Sequence, residues 1–309
     1  MIQTLRATKW NSARFGLVLA GGGAKGAYQA GVIQALYELD IADKVYAVSG
    51  TSVGALNTLA FALNRKELCP EVWENIGFKD VLVRADKEER TKLRQLWREL
   101  SAQGIRLRDF DAVLEYISRE GKSLFTQQGL KAMLERELDF AALRQSRPAL
   151  YVCAYDIAQG RPEYFALKAL GNAEIIQATL ASCAIPYVFP PVLLRGKAYA
   201  DGGINTRAYP SANADNTPLF PLLAHHLDTI IVVHLQPDAP DCTAGSGGPE
   251  MINLRPSASL EPVKGTGAMN FSRSAIDGHM RLGYRDTLCT LAPAIFSYLC
   301  QEHPPYPKA

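Results

Sequence analysis

Gly50-Thr51-Ser52-Val53-Gly54 has the spacing Gly-x-Ser-x-Gly, which sets a serine on a tight turn between a strand and a helix. A serine hydroxyl is a weak nucleophile, and it attacks an acyl carbon only when a base stands beside it. Small residues two positions away on either side let such a turn close without striking neighbouring backbone. Gly50 and Gly54 supply those positions. The chemistry available to this segment is acyl transfer through Ser52, and a purely structural glycine turn is the alternative.

Upstream, Gly21-Gly22-Gly23-Ala24-Lys25-Gly26 satisfies Gly-x-Gly-x-x-Gly, a spacing that dinucleotide-binding folds place between a strand and a helix. That use also needs a carboxylate at the end of the second strand to hold a ribose hydroxyl. Here the second strand ends Val48-Ser49-Gly50, which weakens nucleotide binding. A phosphate-binding P-loop needs Lys and Ser or Thr around its last glycine, whereas Ala27-Tyr28 follow Gly26. The third use is an oxyanion hole. Successive glycines let backbone N–H groups converge, and a helix N-terminus adds partial positive charge. Lys25 either holds the loop or adds positive potential, unless it is an ordinary solvated lysine.

An α/β-hydrolase would pair the elbow with a histidine. Only two strand signals precede Ser52, and none of His225, His226, His234, His279 and His303 lies in a pattern that marks a base. His234 falls within a strand, so His279 is the remaining histidine candidate. Asp201, in Asp201-Gly202-Gly203, follows the strand-like Ala198-Tyr199-Ala200. Two glycines after it let the carboxylate approach another loop closely.

With residues 21–26, 50–54 and 201–203 in that order, the chain resembles the patatin-like phospholipase family. The segment from Ala181 to Val192, Ala-Ser-Cys-Ala-Ile-Pro-Tyr-Val-Phe-Pro-Pro-Val, is similar to the stretch that precedes the family's aspartate. The resemblance covers about residues 15–235. It implies an α/β fold, a three-layer α/β/α sandwich with a mostly parallel central sheet. It also implies a Ser52–Asp201 dyad without histidine, and an oxyanion hole built from Gly21, Gly22, Gly23, Ala24, Lys25 and Gly26. Gly202 and Gly203 complete the Asp-Gly-Gly motif. The implied activity is hydrolysis of lipid acyl esters through an acyl-Ser52 intermediate, with no metal or cofactor and no need of calcium. Acyl transfer to another alcohol, or a non-catalytic ligand-binding role, are the alternatives. The chain departs from the family pattern at one place: the Asn-x-Pro element, Asn216-Thr217-Pro218, comes late, after a polar stretch from Asn205 to Asp215.

The elements around these motifs are readable from periodicity. Phe15–Ala20 and Val45–Val48 are short apolar runs that predict buried strands, each followed by a helix, over 24–39 and 55–63. Between about 65 and 145, apolar residues at helical spacing predict amphipathic helices over 93–100, 110–117 and 130–138. Hairpins are expected from 149–155 with 164–167, and from 190–194 with 198–200 around Gly196-Lys197. Asn172 is the expected cap of a helix through Ser182, 230–235 is a buried strand, and 238–250 is a loop. The expected organisation is an N-terminal extension (1–14), a catalytic domain (15–237), and a mobile loop with a C-terminal segment packed on the same domain (238–309).

Composition sets the wider limits. With 33 Lys and Arg against 31 Asp and Glu, the formal charge is +2, without the basic excess expected of a nucleic-acid partner. A local basic patch for anionic lipid stays open. No apolar stretch is long enough to span a membrane, and no leader-type apolar segment precedes Phe15. Six cysteines form no Cys-x-x-Cys pair, and Cys153, Cys183 and Cys289 sit in apolar surroundings that read as core. Reduced thiols in the cytoplasm are expected, with a lipid substrate and peripheral membrane contact at most.

Overall fold

Every residue of the run Phe15–Leu19 is buried, because this strand lies in the middle of a sheet covered on both faces. The computed structural model describes residues 12–63, 68–77, 125–186, 188–203, 214–261 and 267–302, with isolated positions between 81 and 102. In chain order the strands are β1 (Phe15–Leu19), β2 (Val45–Thr51), β3 (Val83–Arg84), β4 (Phe125–Thr126), β5 (Ala149–Asp156), β6 (Arg161–Ala166), β7 (Val192–Leu194), β8 (Lys197–Asp201), β9 (Thr229–Val233) and β10 (Glu250–Leu254). The helices are α1 (Ala27–Glu38), α2 (Val53–Ala62), α3 (Leu68–Asn75), α4 (Gln128–Glu137), α5 (Phe140–Gln145), α6 (Asn172–Ser182) and α7 (Arg273–Glu302).

The main sheet runs β10-β9-β1-β2-β5-β8-β7, with β6 also on β5. The five strands from β10 to β5 are mutually parallel, and β6, β7 and β8 join antiparallel. This mostly parallel sheet flanked by helices is the α/β architecture expected from the sequence. β5 has three partners and only two edges. β6 pairs with residues 151–156, β2 with 149–153 and β8 with 154–156. β6 overlaps both others, so β2 and β8 share the opposite edge and meet there end to end.

Side-chain alternation sorts the core. Leu17, Leu19, Val48, Ile231 and Val233 face the larger cluster with Ile33 and Leu36 of α1. Val18, Ala47, Ile230 and Val232 face a smaller one, closed by Leu222 of a 3₁₀ turn at Phe220–Ala224 and by Leu227. α1 and α7 cross in backbone contact: a Cβ on Gly31 would fall 1.9 Å from the Met280 carbonyl, and one on Gly283 2.0 Å from that of Tyr28.

Several expectations shift. The helix after the glycine loop starts at Ala27, behind a 3₁₀ turn over Gly23–Gly26. Asn172 is the first residue of α6 and not its cap; Gly171 takes that place, its N–H donating to Glu174 Oε2 at 3.0 Å. The β7–β8 turn is Arg195-Gly196, not Gly196-Lys197. Both residues have positive φ (52° and 77°), which suits a two-residue hairpin. The central sheet continues past residue 237 through β10, and the 30-residue α7 has no counterpart among the sequence expectations. Its apolar residues are spread around the axis and it contains Pro293, so no amphipathic stripe announces it. Cys289 lies exposed on α7, whereas Cys69 is buried along with Cys153 and Cys183. The helix expected over 130–138 is α4, while the one over 110–117, most of the one over 93–100 and most of the 205–215 stretch lie outside the described residues.

Candidate active site

β2 runs three residues further than its apolar run, through Ser49, Gly50 and Thr51, and α2 begins at Val53. Ser52 alone makes the turn, at φ 56° and ψ −123°, a backbone conformation that is strained for any residue but glycine. A Cβ at Gly50 would lie 2.1 Å from the Gly54 carbonyl oxygen, and one at Gly54 2.0 Å from that of Leu19. No side chain fits either place. The buried C-terminal end of α6 and the residue after it hold the strained turn. Ser52 N–H donates to Ser182 Oγ at 2.9 Å, and Ser182 in turn donates to the Cys153 carbonyl at 2.6 Å. Cys183 Sγ–H donates to the Ser52 carbonyl at 3.3 Å.

Asp201 ends β8 and is 2% exposed. Its N–H donates to the Ala184 carbonyl at 2.9 Å, and its Oδ1 accepts from Gly203 N–H at 2.9 Å. Ser182, Cys183 and Ala184 therefore grip both Ser52 and Asp201. Burial pushes the Asp201 carboxyl up to about 6, against the opposing pull of the Ser52 hydroxyl and the Gly203 N–H. Oδ2 makes no hydrogen bond of regular geometry to a described residue. The serine hydroxyl thus stands near enough to be felt by the carboxylate without closing a bond to it. Burial also raises the Cys153 and Cys183 thiols, with Asp201 adding to both shifts, so both stay protonated.

The glycine loop packs against the elbow: a Cβ on Gly21 would lie 3.1 Å from Ser52 Cβ. Gly21 N–H donates to the Asn216 carbonyl at 3.1 Å, and Lys25 N–H to that of Gly22 at 3.3 Å. No backbone acceptor among the described residues meets the N–H groups of Gly22, Gly23 and Ala24. Both ends of the loop are braced from beneath. Gln29 Nε2 donates to the Ala20 carbonyl at 2.7 Å, and Asn57 Nδ2 to the Gly26 carbonyl at 3.0 Å and to Gln29 Oε1 at 2.8 Å. Trp73 Nε1 donates to Asn57 Oδ1 at 2.9 Å, which ties α3 into the same network. Lys25 is neither solvated nor a bare cation, since its ammonium is paired with Glu261 at 2.8 Å.

The late Asn-x-Pro element reaches the site despite its distance in sequence. Ser49 and Thr51, on one face of β2, donate to the carbonyls of Pro218 (2.5 Å) and Asp215 (2.8 Å). Asn216 Nδ2 donates to the Gly21 carbonyl at 3.3 Å. The histidines stand elsewhere: His234 pairs with Asn253, His225 with Tyr151, and the His279 ring is buried against Ala24 and Leu260. His303 lies outside the described residues. Among the described residues, no three His, Cys, Asp or Glu side chains converge as metal ligands. Ser182, Asn57 and Gln29 were not singled out from the sequence. Gln29 and Asn57 leave there only the trace of a polar residue in a mostly apolar helix, and Ser182 ends a helix that carries several polar residues.

An apolar cleft opens at Ser52 and is walled by α2, α3 and α4, with Ile185 and Phe189 on the side of Cys183. Counted with its open mouth it spans about 1020 Å³. Ser52, Leu56, Ala60 and Leu63 all line it, a spacing that places them on one face of α2. The cleft therefore follows the helix axis for about 16 Å from the serine.

Two proteins of Saccharomyces cerevisiae share sequence with this chain. Triacylglycerol lipase 4 is 31% identical over 101 residues, 33% of this chain and 11% of the lipase. Triacylglycerol lipase 5 is 34% identical over 76 residues, 25% of this chain and 10% of the lipase. The chain thus matches about a tenth of the length of these relatives. Human GIVD cytosolic phospholipase A2 superposes with a TM-score of 0.48 at 14% identity, over 94% of this chain and 59% of that one. The sequence profile of the Patatin-like phospholipase family matches residues 17–219. That stretch is well over half of the chain and runs from β1 past Asp201 to the Asn-x-Pro element, and the chain belongs to the patatin-like phospholipase family.

Proposed function

We propose that the protein hydrolyses carboxylic ester bonds of lipids through an acyl-Ser52 intermediate, with Asp201 as base. Ser52 Oγ attacks the ester carbonyl carbon as its proton passes to Asp201, directly or through one water. The carbonyl oxygen becomes an oxyanion, which the N–H groups of Gly22 and Gly23 receive at the N-terminal end of the loop turn. Collapse of the tetrahedral species breaks the ester C–O bond, and Asp201 returns the proton to the leaving alkoxide. Water then attacks the acyl carbon and gives a proton to Asp201; collapse breaks the bond between Ser52 Oγ and the acyl carbon, and Asp201 returns the proton to Oγ, which releases the fatty acid and free Ser52.

The observation that carries this proposal is the pairing of a strained, buried serine with a carboxylate whose Oδ2 has no hydrogen bond of regular geometry among the described residues, at the head of an apolar cleft. A carboxyl near 6 is charged at neutral pH and basic enough to take the hydroxyl proton during attack. The length and apolar lining of the cleft support a long acyl chain over a short polar one. Contact with a lipid surface is peripheral in this proposal, because the acyl chain must leave that surface to enter the cleft.

The test is labelling with a fluorophosphonate together with turnover of p-nitrophenyl butyrate and a panel of phospholipids and acylglycerols. Labelling at Ser52, and loss of both label and turnover in Ser52→Ala, are expected. A folded wild-type protein that neither labels nor turns over any ester leaves a ligand-binding role instead.

A further inference from the structure

The Lys25–Glu261 pair joins residues 236 positions apart, and its side chains are 6% and 20% exposed. Around it, the glycine loop is enclosed by parts of the chain beyond residue 219, where the family match ends. Lys25 folds back over its own loop, its Cε 3.2 Å from where a Gly22 Cβ would stand, with Leu235 on the same spot at 2.7 Å. Gly23, at φ +58°, leaves 2.2 Å between its would-be Cβ and the Ala268 carbonyl oxygen. Glu261 abuts the same turn, its Cγ 2.5 Å from the corresponding point on Gly267. His279 of α7 closes the back against Ala24 and Leu260.

We propose that Glu261 is a positioning residue: held by the C-terminal part of the chain, it grips Lys25 and so fixes the Gly22 and Gly23 N–H groups where the oxyanion forms. This role rests on the acyl-serine reaction proposed above. Removing one partner of a largely buried ion pair leaves the other charge uncompensated. Without Glu261 the lysine must turn to solvent or into the site, and either movement drags the short loop. A misplacement of about 1 Å at such donors costs about a hundredfold in rate.

The experiment compares kcat and KM on p-nitrophenyl butyrate, and the rate of fluorophosphonate labelling at Ser52, in four proteins. These are wild type, Glu261→Ala, the isosteric Glu261→Gln, and the apolar pair Lys25→Met/Glu261→Leu. In Glu261→Ala, kcat and labelling rate are expected to fall together by about 30- to 100-fold, with KM within about threefold, as for loss of oxyanion donors. Glu261→Gln, which keeps an acceptor for the ammonium, is expected to recover at least tenfold of that loss. A Glu261→Ala protein with kcat and labelling within twofold of wild type overturns the proposal. Should Glu261→Ala not fold, the apolar pair decides. Recovery to within about tenfold of wild type supports a positioning role, and a loss of a hundredfold or more overturns it by placing the lysine charge itself on the oxyanion. A wild-type protein that is neither labelled nor active overturns the acyl-serine chemistry, whereas an active wild type with an unaffected Glu261→Ala overturns only the role of Glu261.

Discussion

Thr51 and Asp201 face adjacent residues, Cys153 and Ala154, on one edge of β5. β2 runs parallel to β5 and stops at Thr51, and β8 runs antiparallel and stops at Asp201, so the two strands end nose to nose. Ser52 is the next residue after Thr51. The serine and the carboxylate are thus brought together by backbone register, and the Ser182–Ala184 segment fastens the junction from the side.

In the proposed reaction the Asp201 carboxyl, raised to about 6 by burial, sets the acid limb. The base must be ionised, so kcat/KM is expected to fall as pH drops through about 6, tenfold per unit below it. An ordinary exposed carboxylate would give a limb near 4. A pH profile on a soluble ester, free of lipid-phase effects, distinguishes the two.

The same shift has a stability consequence of opposite sense. A carboxyl with its folded pKa above its unfolded one favours folding below about pH 4, and that contribution is lost as pH rises through about 6. At pH 7 the ionised, buried Asp201 costs on the order of 3 kcal/mol. Asp201→Asn is therefore expected to abolish turnover while raising the melting temperature at pH 7, with the gain vanishing near pH 4. A lower melting temperature at pH 7 would place the carboxylate in a stabilising contact instead.

Ser182 bonds both the Ser52 N–H and the Cys153 carbonyl. Ser182→Ala leaves two buried backbone groups unpaired, at about 1–3 kcal/mol, and frees the strained elbow to relax. A fall in kcat of about tenfold, with KM on p-nitrophenyl butyrate little changed, is expected. Equal loss from a thermal-stability effect alone would disappear when activity is measured well below the unfolding transition.

The fold's centre was legible because its signals are local. The all-apolar β1 run, the glycines at 50 and 54 with backbone pressed against them, and the two glycines after Asp201 each state a steric requirement in the residue itself. The site's supports were not, because their meaning depends on partners far along the chain. Ser182 answers Ser52 across 130 residues, Asn57 answers Gly26 and Trp73, and Lys25 answers Glu261. β10 and α7 escaped for another reason. The half-buried edge strand Glu250-Met-Ile-Asn-Leu254 lacks alternation, and α7 mixes polar and apolar residues around its whole circumference.

The cleft makes a prediction about chain length that a merely apolar surface would not. Ala60 lies eight residues beyond Ser52 on the same face of α2, about 12 Å along the axis. Ala60→Phe fills the distal part of the cleft and leaves the space beside the serine as it is. An ester with a short acyl chain does not reach that far, whereas a palmitoyl chain must displace the new ring or bend away from it. The ratio of kcat/KM for p-nitrophenyl palmitate to that for the butyrate is expected to fall by tenfold or more. The esters of intermediate length should show where along the helix the obstruction begins. An unchanged ratio would mean that the acyl chain leaves Ser52 by another route, past Ile185 and Phe189.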